Sequence, residues 1–171
     1  IRGQHNLDLF NSRFPRVRLC GTIGNFDGLH LGHQAILNKV KKNAQQNDAK
    51  TIVFFTEPHA SEYFAKARDQ NIMPPPRICP WREKLKLLKQ NKIDFAFFLK
   101  FNDSLRTMQP EDFISEILES INLVSLTVGD DFRFGENRKG DSNLLKSWGD
   151  KNNVIVENTE TILHKGERVS S

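Results

Sequence analysis

The sequence predicts an α/β domain with an open parallel sheet and helices on both faces. Short apolar runs, rich in β-branched and aromatic residues, alternate along the chain with segments of helical periodicity. The runs have the length of strands that are buried on both faces, which is the usual state of a parallel strand. The 171 residues suffice for one such domain with a hydrophobic core, and they contain no internal repeat.

The first half of the chain alternates strand, helix and strand. Residues 17–23 form the first predicted strand, and residues 32–44 follow as a helix. The apolar face of that helix comprises Ile36, Leu37, Val40 and Ala44. Residues 51–55 are the second predicted strand, because they are β-branched or aromatic throughout most of their length. An irregular stretch is expected after it, since the three prolines at 74–76 fit neither a helix nor a central strand.

The second half continues the alternation and ends on a strand. A helix is predicted at residues 81–89 and a strand at 95–99. Pro110 stands where the first turn of a helix tolerates proline. The apolar face of this helix comprises Phe113, Ile114, Ile117, Leu118 and Ile121. The remaining predicted elements are a strand at 123–128, a helix at 142–148 and a strand at 154–156.

The composition argues against two classes of protein. The chain has two cysteines, Cys20 and Cys79, and no CxxC pair, which disfavours a disulfide framework and a structural zinc site. No apolar run reaches the length of a bilayer span, and the opening residues lack the charged-then-apolar order of a secretion signal. We therefore expect a cytoplasmic protein with reduced thiols and no membrane partner.

The net charge of +4 is compatible with two kinds of ligand, nucleic acid or small anions such as nucleotides. The densest basic cluster spans residues 82–92 and coincides with a predicted helix, so we interpret it as a solvated helix face. The chain has no stripe of interleaved aromatic and basic residues and no basic tail. Small anionic ligands are therefore favoured, and no nucleic-acid partner is expected.

Three polar segments follow predicted strands. We call them the first loop (residues 24–33), the second loop (residues 56–59) and the third loop (residues 129–135). In an open parallel sheet the carboxyl ends of all strands face one edge, and ligands bind in the crevice there. The three loops are therefore predicted to meet at one binding site.

The first loop has the residues of a phosphate site. Gly24, Gly28 and Gly32 let the backbone approach a ligand closely. The loop leads into the N-terminus of a predicted helix, which favours a phosphate. His30 and His33 are three residues apart, so in a helix they would share a face and could donate hydrogen bonds to a triphosphate.

Two histidines this close together also occur in structural and metal-binding roles. A zinc chelate is disfavoured because no third ligand lies near them in the sequence, and we predict no protein-held metal. A Walker-type nucleotide site is excluded, since GxxxxGK[ST] is absent. We expect catalysis by positioning and by stabilising negative charge rather than through a covalent intermediate.

The segment GNFDGLHLGH, at residues 24–33, resembles the signature of the nucleotidylyltransferase superfamily, whose HxGH motif binds ATP phosphates. Its Gly-x-Phe-Asp-Gly-x-His form resembles the bacterial bifunctional riboflavin kinase/FMN adenylyltransferase family, known as FAD synthetase. EPHASEYF at 57–64, VGDDFRFG at 128–135, and Arg77 before the Glu-Lys-Leu helix at 83–85 are similar to further parts of that family. The resemblance covers essentially the whole chain and implies a Rossmann-like nucleotidylyltransferase fold.

The resemblance also implies a reaction and a set of contacts. The chain would make FAD and pyrophosphate from FMN and ATP, with Mg²⁺ entering as part of ATP–Mg. His30 and His33 would be the catalytic residues, holding the ATP phosphates and stabilising charge as pyrophosphate leaves. The other implied contacts with the nucleotide or the flavin are Gly24, Asn25, Phe26, Asp27, Gly28, Gly32, His59, Gly129, Asp131, Phe132, Arg133, Ser170 and Ser171.

Simpler interpretations stay open for some of these residues. Arg133 could pair with a neighbouring aspartate at the surface, and Phe132 could belong to the core. His59 could serve the turn that contains it. Ala60 stands where the family has proline, and this departure weakens the implied flavin contact at His59.

We expect residues 1–171 to form one FMN adenylyltransferase domain. The family's Ser-Ser-Thr-x-Ile-Arg motif is represented here only by Ser170 and Ser171, and the riboflavin kinase domain that follows it in the family is absent from this chain. The full-length protein is expected to carry both activities. Two alternatives remain: a nucleotidylyltransferase for another phosphate acceptor, and a non-catalytic flavin- or nucleotide-binding module.

Overall fold

Five parallel strands form one sheet in the computed structural model, which describes residues 1–26, 29–68, 80–159, 163–164 and 167–168. The strands are β1 (Leu19–Ile23), β2 (Lys50–Glu57), β3 (Phe95–Lys100), β4 (Leu123–Gly129) and β5 (Ile155–Thr159), in the spatial order β3-β2-β1-β4-β5. A separate antiparallel pair consists of β6 (Leu163–His164) and β7 (Glu167–Arg168). The predicted open parallel sheet is confirmed.

Seven α-helices connect or flank these strands in the described part of the chain. They are α1 (Leu7–Arg13), α2 (Leu31–Gln46), α3 (Ala60–Arg68), α4 (Trp81–Gln90), α5 (Asp103–Thr107), α6 (Pro110–Phe113) and α7 (Ser142–Asn152). Short 3₁₀ segments lie at Gln4–Asn6 and Glu136–Arg138, and α6 continues into a π-helical turn at Ile114–Leu118. None of the described helices is both long and apolar enough to cross a membrane.

The structure corrects the expectation of an irregular stretch after β2. Helix α3 begins at Ala60, immediately after the second loop, and its backbone is helical to Arg68. The three prolines at 74–76 lie outside the described residues. The prolines at 74–76 do not prevent residues 60–68 from forming a helix, because this segment contains no proline and is rich in helix-forming residues.

Helices cover both faces of the sheet, as predicted. Ile52 and Phe54 of β2 face the larger core cluster, to which α1, α5, α6 and α7 contribute buried side chains. Val53 and Phe55 point to the opposite face, where α2 and α4 pack. This alternation along one strand follows from the two-residue period of β structure and makes β2 apolar on both faces.

The amino-terminal ends of β2 and β3 are joined by a reciprocal side-chain contact. Asp94 accepts hydrogen bonds from the Thr51 backbone N–H and hydroxyl at 2.9 and 2.8 Å, and its own N–H donates to the Thr51 Oγ1 at 2.8 Å. On the outer side of β3, residues 1–3 pair with the strand: Phe98 N–H donates to Ile1 O, and Gly3 N–H donates to Phe98 O. The contact at Asp94 helps fix the register of β2 and β3.

Strands β1 and β4 are neighbours at the point where the order of the sheet reverses. Helix α2 leaves β1 over one face on its way to β2, whereas α7 leaves β4 over the other face on its way to β5. The two connections diverge, and this topology is the one that creates a crevice outside the carboxyl ends of the strands at a switch point. Ligands bind to open α/β sheets at this switch point.

Candidate active site

The first loop begins at the carboxyl end of β1. Gly24 N–H donates to Phe54 O at 3.1 Å, which prolongs the pairing with β2 by one residue. Phe26 and Leu29 then adopt left-handed backbone conformations, with φ of 49° and 41°, and both side chains are buried. The loop is therefore anchored by two apolar side chains beneath it. The predicted contacts Asp27 and Gly28 lie outside the described residues.

The two histidines of the first loop lie side by side. His30 is extended, with φ −62° and ψ 173°, and is the last residue before α2, while His33 lies in the first turn of that helix. Their ring centroids are 3.8 Å apart and the rings are nearly parallel, at 25°. The Phe26 ring lies 4.8 Å from the His33 ring. Phe26 is 0% exposed and packs beneath the first loop, and its contact with a nucleotide remains a prediction.

The ring nitrogens of His30, Nδ1 and Nε2, are buried and have no hydrogen-bond partner among the residues that the structure describes. Burial lowers the pKa of His30 below its ordinary value, so the neutral ring is favoured in the free protein at neutral pH. Buried polar groups are nearly always hydrogen-bonded, and the exceptions often mark functional sites.

The N-terminus of α2 adds a favourable field for an anion. The helix has 16 residues, and its first turn contains no acidic side chain that would neutralise the positive end of the dipole. Its first backbone N–H groups have no partner within the helix, because an α-helix leaves them unpaired by construction. Together with the imidazoles, this end of α2 has the properties of a phosphate site.

Anion binding at His30 is expected to be coupled to proton uptake. Burial lowers the pKa of the free imidazole, and a bound polyphosphate would raise that pKa by favouring the charged form. Between the pKa of the free protein and that of the complex, the complex holds more protons than the free protein, so affinity should increase as pH falls through that interval.

Calorimetry of ATP–Mg binding near pH 7, in buffers of different ionisation enthalpy, measures this proton uptake. His30→Asn should remove the part that belongs to the imidazole and leave the part that belongs to ATP itself. Equal proton uptake by the wild type and by His30→Asn would contradict the coupling.

The second loop uses His59 to start α3. The ring Nδ1 accepts a hydrogen bond from Ser61 N–H at 3.3 Å and lies 2.7 Å from Ser61 Oγ. The His59 carbonyl accepts from Glu62 N–H at 3.0 Å, as in a first helical turn. These contacts agree with the turn role that the sequence left open. A flavin contact at His59 remains a prediction.

The third loop makes a tight turn at the carboxyl end of β4. Phe132 N–H donates to Gly129 O at 3.2 Å, and a Cβ atom on Gly129 would come within 3.3 Å of the Asp131 carboxylate. The Arg133 guanidinium is exposed and donates to Phe132 O at 2.8 Å. Ligand roles for these residues remain predictions, and the Phe132 side chain packs partly against the core, as the alternative interpretation allowed.

Sequence reasoning missed one residue at the first loop. Lys84 belongs to the basic cluster that we interpreted as a solvated helix face, but it is only 5% exposed. Its Nζ donates to Asn25 O at 2.6 Å and lies 4.9 Å from the centroid of the Phe55 ring. The spacing of Trp81, Lys84 and Leu88 places this lysine on the apolar face of α4, and that pattern was available in the sequence.

No group of three or more histidine, cysteine, aspartate or glutamate side chains suited to hold a metal occurs in the described part of the chain. Magnesium that accompanies a nucleotide needs only one or two protein carboxylates, because phosphates and water complete its shell.

A family model and curated relatives with similar sequences point to the same family. The family model described as FAD synthetase matches residues 17–171. Two relatives, from Buchnera aphidicola subsp. Schizaphis graminum and Escherichia coli K12, are both named bifunctional riboflavin kinase/FMN adenylyltransferase. They are 36% and 35% identical over 173 and 172 residues. In both cases the match covers 100% of this chain and 52% of the relative, so the chain spans about half their length.

One solved structure supports the fold. It is described as a macrolide-efflux protein from Streptococcus pneumoniae, and it superposes with a TM-score of 0.74. The match covers 92% of this chain and 49% of that chain. At 21% sequence identity this likeness establishes the architecture alone.

Proposed function

This chain belongs to the FAD synthetase family, and on that basis we propose that it transfers AMP from ATP to FMN, giving FAD and pyrophosphate. The observation that carries the proposal is the pair of stacked imidazoles at the N-terminus of α2, at the switch point of a parallel sheet. A triphosphate placed there would meet two ring N–H donors and the positive end of a helix.

The proposed step is an in-line displacement at phosphorus. An oxygen of the FMN phosphate forms a bond with the α-phosphorus of ATP, and the bond between that phosphorus and the oxygen bridging to the β-phosphate breaks. Pyrophosphate leaves with the electron pair. Positioning of the two phosphates and stabilisation of the spreading charge supply the catalysis, without a covalent intermediate.

His30 is the donor with the clearest case. Both of its ring nitrogens are buried and lack a partner among the described residues, so an ATP phosphate would satisfy them. In this proposal His30 stabilises the negative charge that develops as pyrophosphate leaves. His33 donates a hydrogen bond to a neighbouring phosphate oxygen. Preorganised donors of this kind act in a partly dry site, where each is worth more than in water.

The remaining contacts are proposed for the loop backbone and the third loop. Gly24, Asn25 and Gly32 would approach the nucleotide, and Gly129, Asp131, Phe132 and Arg133 would shape the pocket that it shares with FMN. His59 is retained as a flavin contact in addition to its turn role. Asp27, Gly28, Ser170 and Ser171 keep their predicted roles, although they lie outside the described residues. Mg²⁺ enters with ATP as part of the substrate.

The domain assignment is also a proposal. Residues 1–171 would form the adenylyltransferase domain of a bifunctional protein whose other half phosphorylates riboflavin to FMN. This follows from relatives about twice as long that carry both activities in their name. A cytoplasmic location, expected from the sequence, remains a prediction.

The direct test is FAD formation from FMN, ATP and Mg²⁺ by the full-length protein, followed by chromatography with pyrophosphate release as a second readout. Supplying FMN rather than riboflavin makes the result independent of any kinase domain. FAD and pyrophosphate in equal amounts would support the proposal. Turnover with other phosphorylated acceptors but not with FMN would replace the acceptor, and binding of FMN and ATP without turnover would indicate a binding module.

A further inference from the structure

We propose that Lys84 is a positioning residue that holds the first loop in its ligand-binding conformation from the neighbouring helix α4. This inference rests on the proposed function, because it assigns to the first loop the binding of ATP phosphates. Among the lysines and arginines whose side chains the structure describes, Lys84 is the one that is buried. Burying this side chain is costly unless its amino group finds partners, so its contacts indicate what the position is for.

The contact of Lys84 with the first loop is specific. Its Nζ reaches from α4 to the backbone carbonyl of Asn25, 59 residues earlier in the chain, at 2.6 Å. The aliphatic part of the side chain belongs to a face of α4 that packs on Val53, Phe55 and Phe98 through Leu88 and its neighbours. The amino group is thus delivered to the loop by a helix that is fixed on the sheet.

The bond to Asn25 determines where the next peptide N–H points. Within the described residues the cis peptide bond is Glu57–Pro58. The peptide between Asn25 and Phe26 is therefore trans. In a planar trans peptide the carbonyl and the following N–H point in opposite directions. With the Asn25 carbonyl directed at Lys84, the Phe26 N–H is directed away from α4. Phe26 is 0% exposed, so the bond to Lys84 fixes the buried base of the first loop.

The same peptide is linked to the histidines. Phe26 follows the held carbonyl directly, its ring is fully buried, and it lies 4.8 Å from the His33 ring. His33 in turn stacks on His30 at 3.8 Å. By holding the Asn25 carbonyl, Lys84 helps to fix the backbone from which the Phe26 ring packs against His33. Lys84 acts on ATP through these groups and not by touching the reacting atoms.

Lys84→Met tests the inference, with Lys89→Met as the matched control because Lys89 is an exposed lysine on the same helix. In the full-length protein, Lys84→Met should raise the KM for ATP and the calorimetric Kd for ATP–Mg by about ten- to a hundredfold, the loss expected for one hydrogen bond from a charged group. The KM for FMN should change much less. Lys84→Arg, which keeps a donor, should recover part of the ATP affinity.

A merely structural lysine would lower the melting temperature without changing the ATP affinity of the folded protein. Equal ATP constants for Lys84→Met and Lys89→Met would therefore overturn the inference. If Lys84→Met does not fold, Lys84→Gln is compared with Lys89→Gln instead. Glutamine is shorter than lysine and does not reach Asn25 O, so this pair also tests whether Lys84 affects ATP binding.

The two proposals fail in different ways. A wild-type protein that makes no FAD but binds ATP–Mg through His30 would remove the proposed reaction, and the Lys84 variants would still be judged by their Kd. A wild-type protein that makes FAD while Lys84→Met matches its control would remove only the role of Lys84. Loss of ATP affinity in both methionine variants alike would also count against a specific role.

Discussion

Replacing His30 by alanine is expected to lower kcat for FAD formation by a factor of about 10²–10³, the usual effect of removing one preorganised donor. The reason lies in the environment of the ring: both nitrogens are buried and lack a partner among the described residues, and burial keeps the pKa low until an anion arrives. Steady-state kinetics with FMN and ATP–Mg measure the change. The KM for FMN should be affected far less than kcat.

His5→Ala is the matched control for this prediction. His5 is exposed and lies in the short 3₁₀ segment Gln4–Asn6, beside the end of the outermost strand β3 and two strands away from β1. The control should retain wild-type kinetics. A kcat for His30→Ala within a factor of about three of the control, a small part of the effect expected for a preorganised donor, would refute the catalytic role of His30.

Replacing Phe26 by alanine is expected to lower the free energy of unfolding by about 3–5 kcal/mol. The side chain is 0% exposed and belongs to the core cluster between the first loop and helices α2 and α4. Its removal would leave a cavity directly beneath the loop, next to His33. Urea denaturation followed by circular dichroism gives the difference, with an unchanged m-value as the sign that the unfolding transition is comparable.

Phe64→Ala serves as the comparison, because that phenylalanine is 40% exposed and should cost much less. A loss below about 1 kcal/mol for Phe26→Ala would show that the loop closes around the missing ring. Phe26→Leu refines the test. It keeps most of the buried volume but loses the ring contact with His33, so kcat should fall more than the small loss of stability explains.

The strands were the most predictable part of the fold. All five strands of the main sheet were expected within three residues of their observed ends, because each contains a short apolar run, and β1, β2 and β4 are buried over most of their length. Every residue from Ile52 to Phe55 is apolar, and an uninterrupted apolar run of this length is typical of a strand buried on both faces. The alternation with helices then determined the parallel topology.

The short helices were not predictable from periodicity. Helix α1 has seven residues and α5 has five, which is too short for a clear 3.6-residue pattern. The signal for α5 was local: Asn102 accepts a hydrogen bond from Leu105 N–H and caps the helix. Helix α3 was obscured by Pro58 and the prolines that follow it in the sequence.

The candidate site was predictable where its residues are close in sequence. The spacing of His30 and His33 and the expected start of a helix indicated that the rings would lie together, and the structure has them in contact. The spacing along α4 could have indicated that Lys84 is buried, but its partner could not be predicted, because the contact with Asn25 joins segments 59 residues apart. The charged residues around Lys84 suggested a solvated helix face, but in the folded protein Lys84 is buried.

The pairing of residues 1–3 with β3 has a consequence for self-association. Beyond β3 the sheet would otherwise present a row of unpaired N–H and C=O groups flanked by phenylalanine side chains, which is the kind of edge that recruits strands from other molecules. Ile1 and Gly3 occupy hydrogen-bonding positions on both sides of Phe98 and so cap that edge within the same molecule. The first three residues thereby protect the sheet from aggregation at the side farthest from β5.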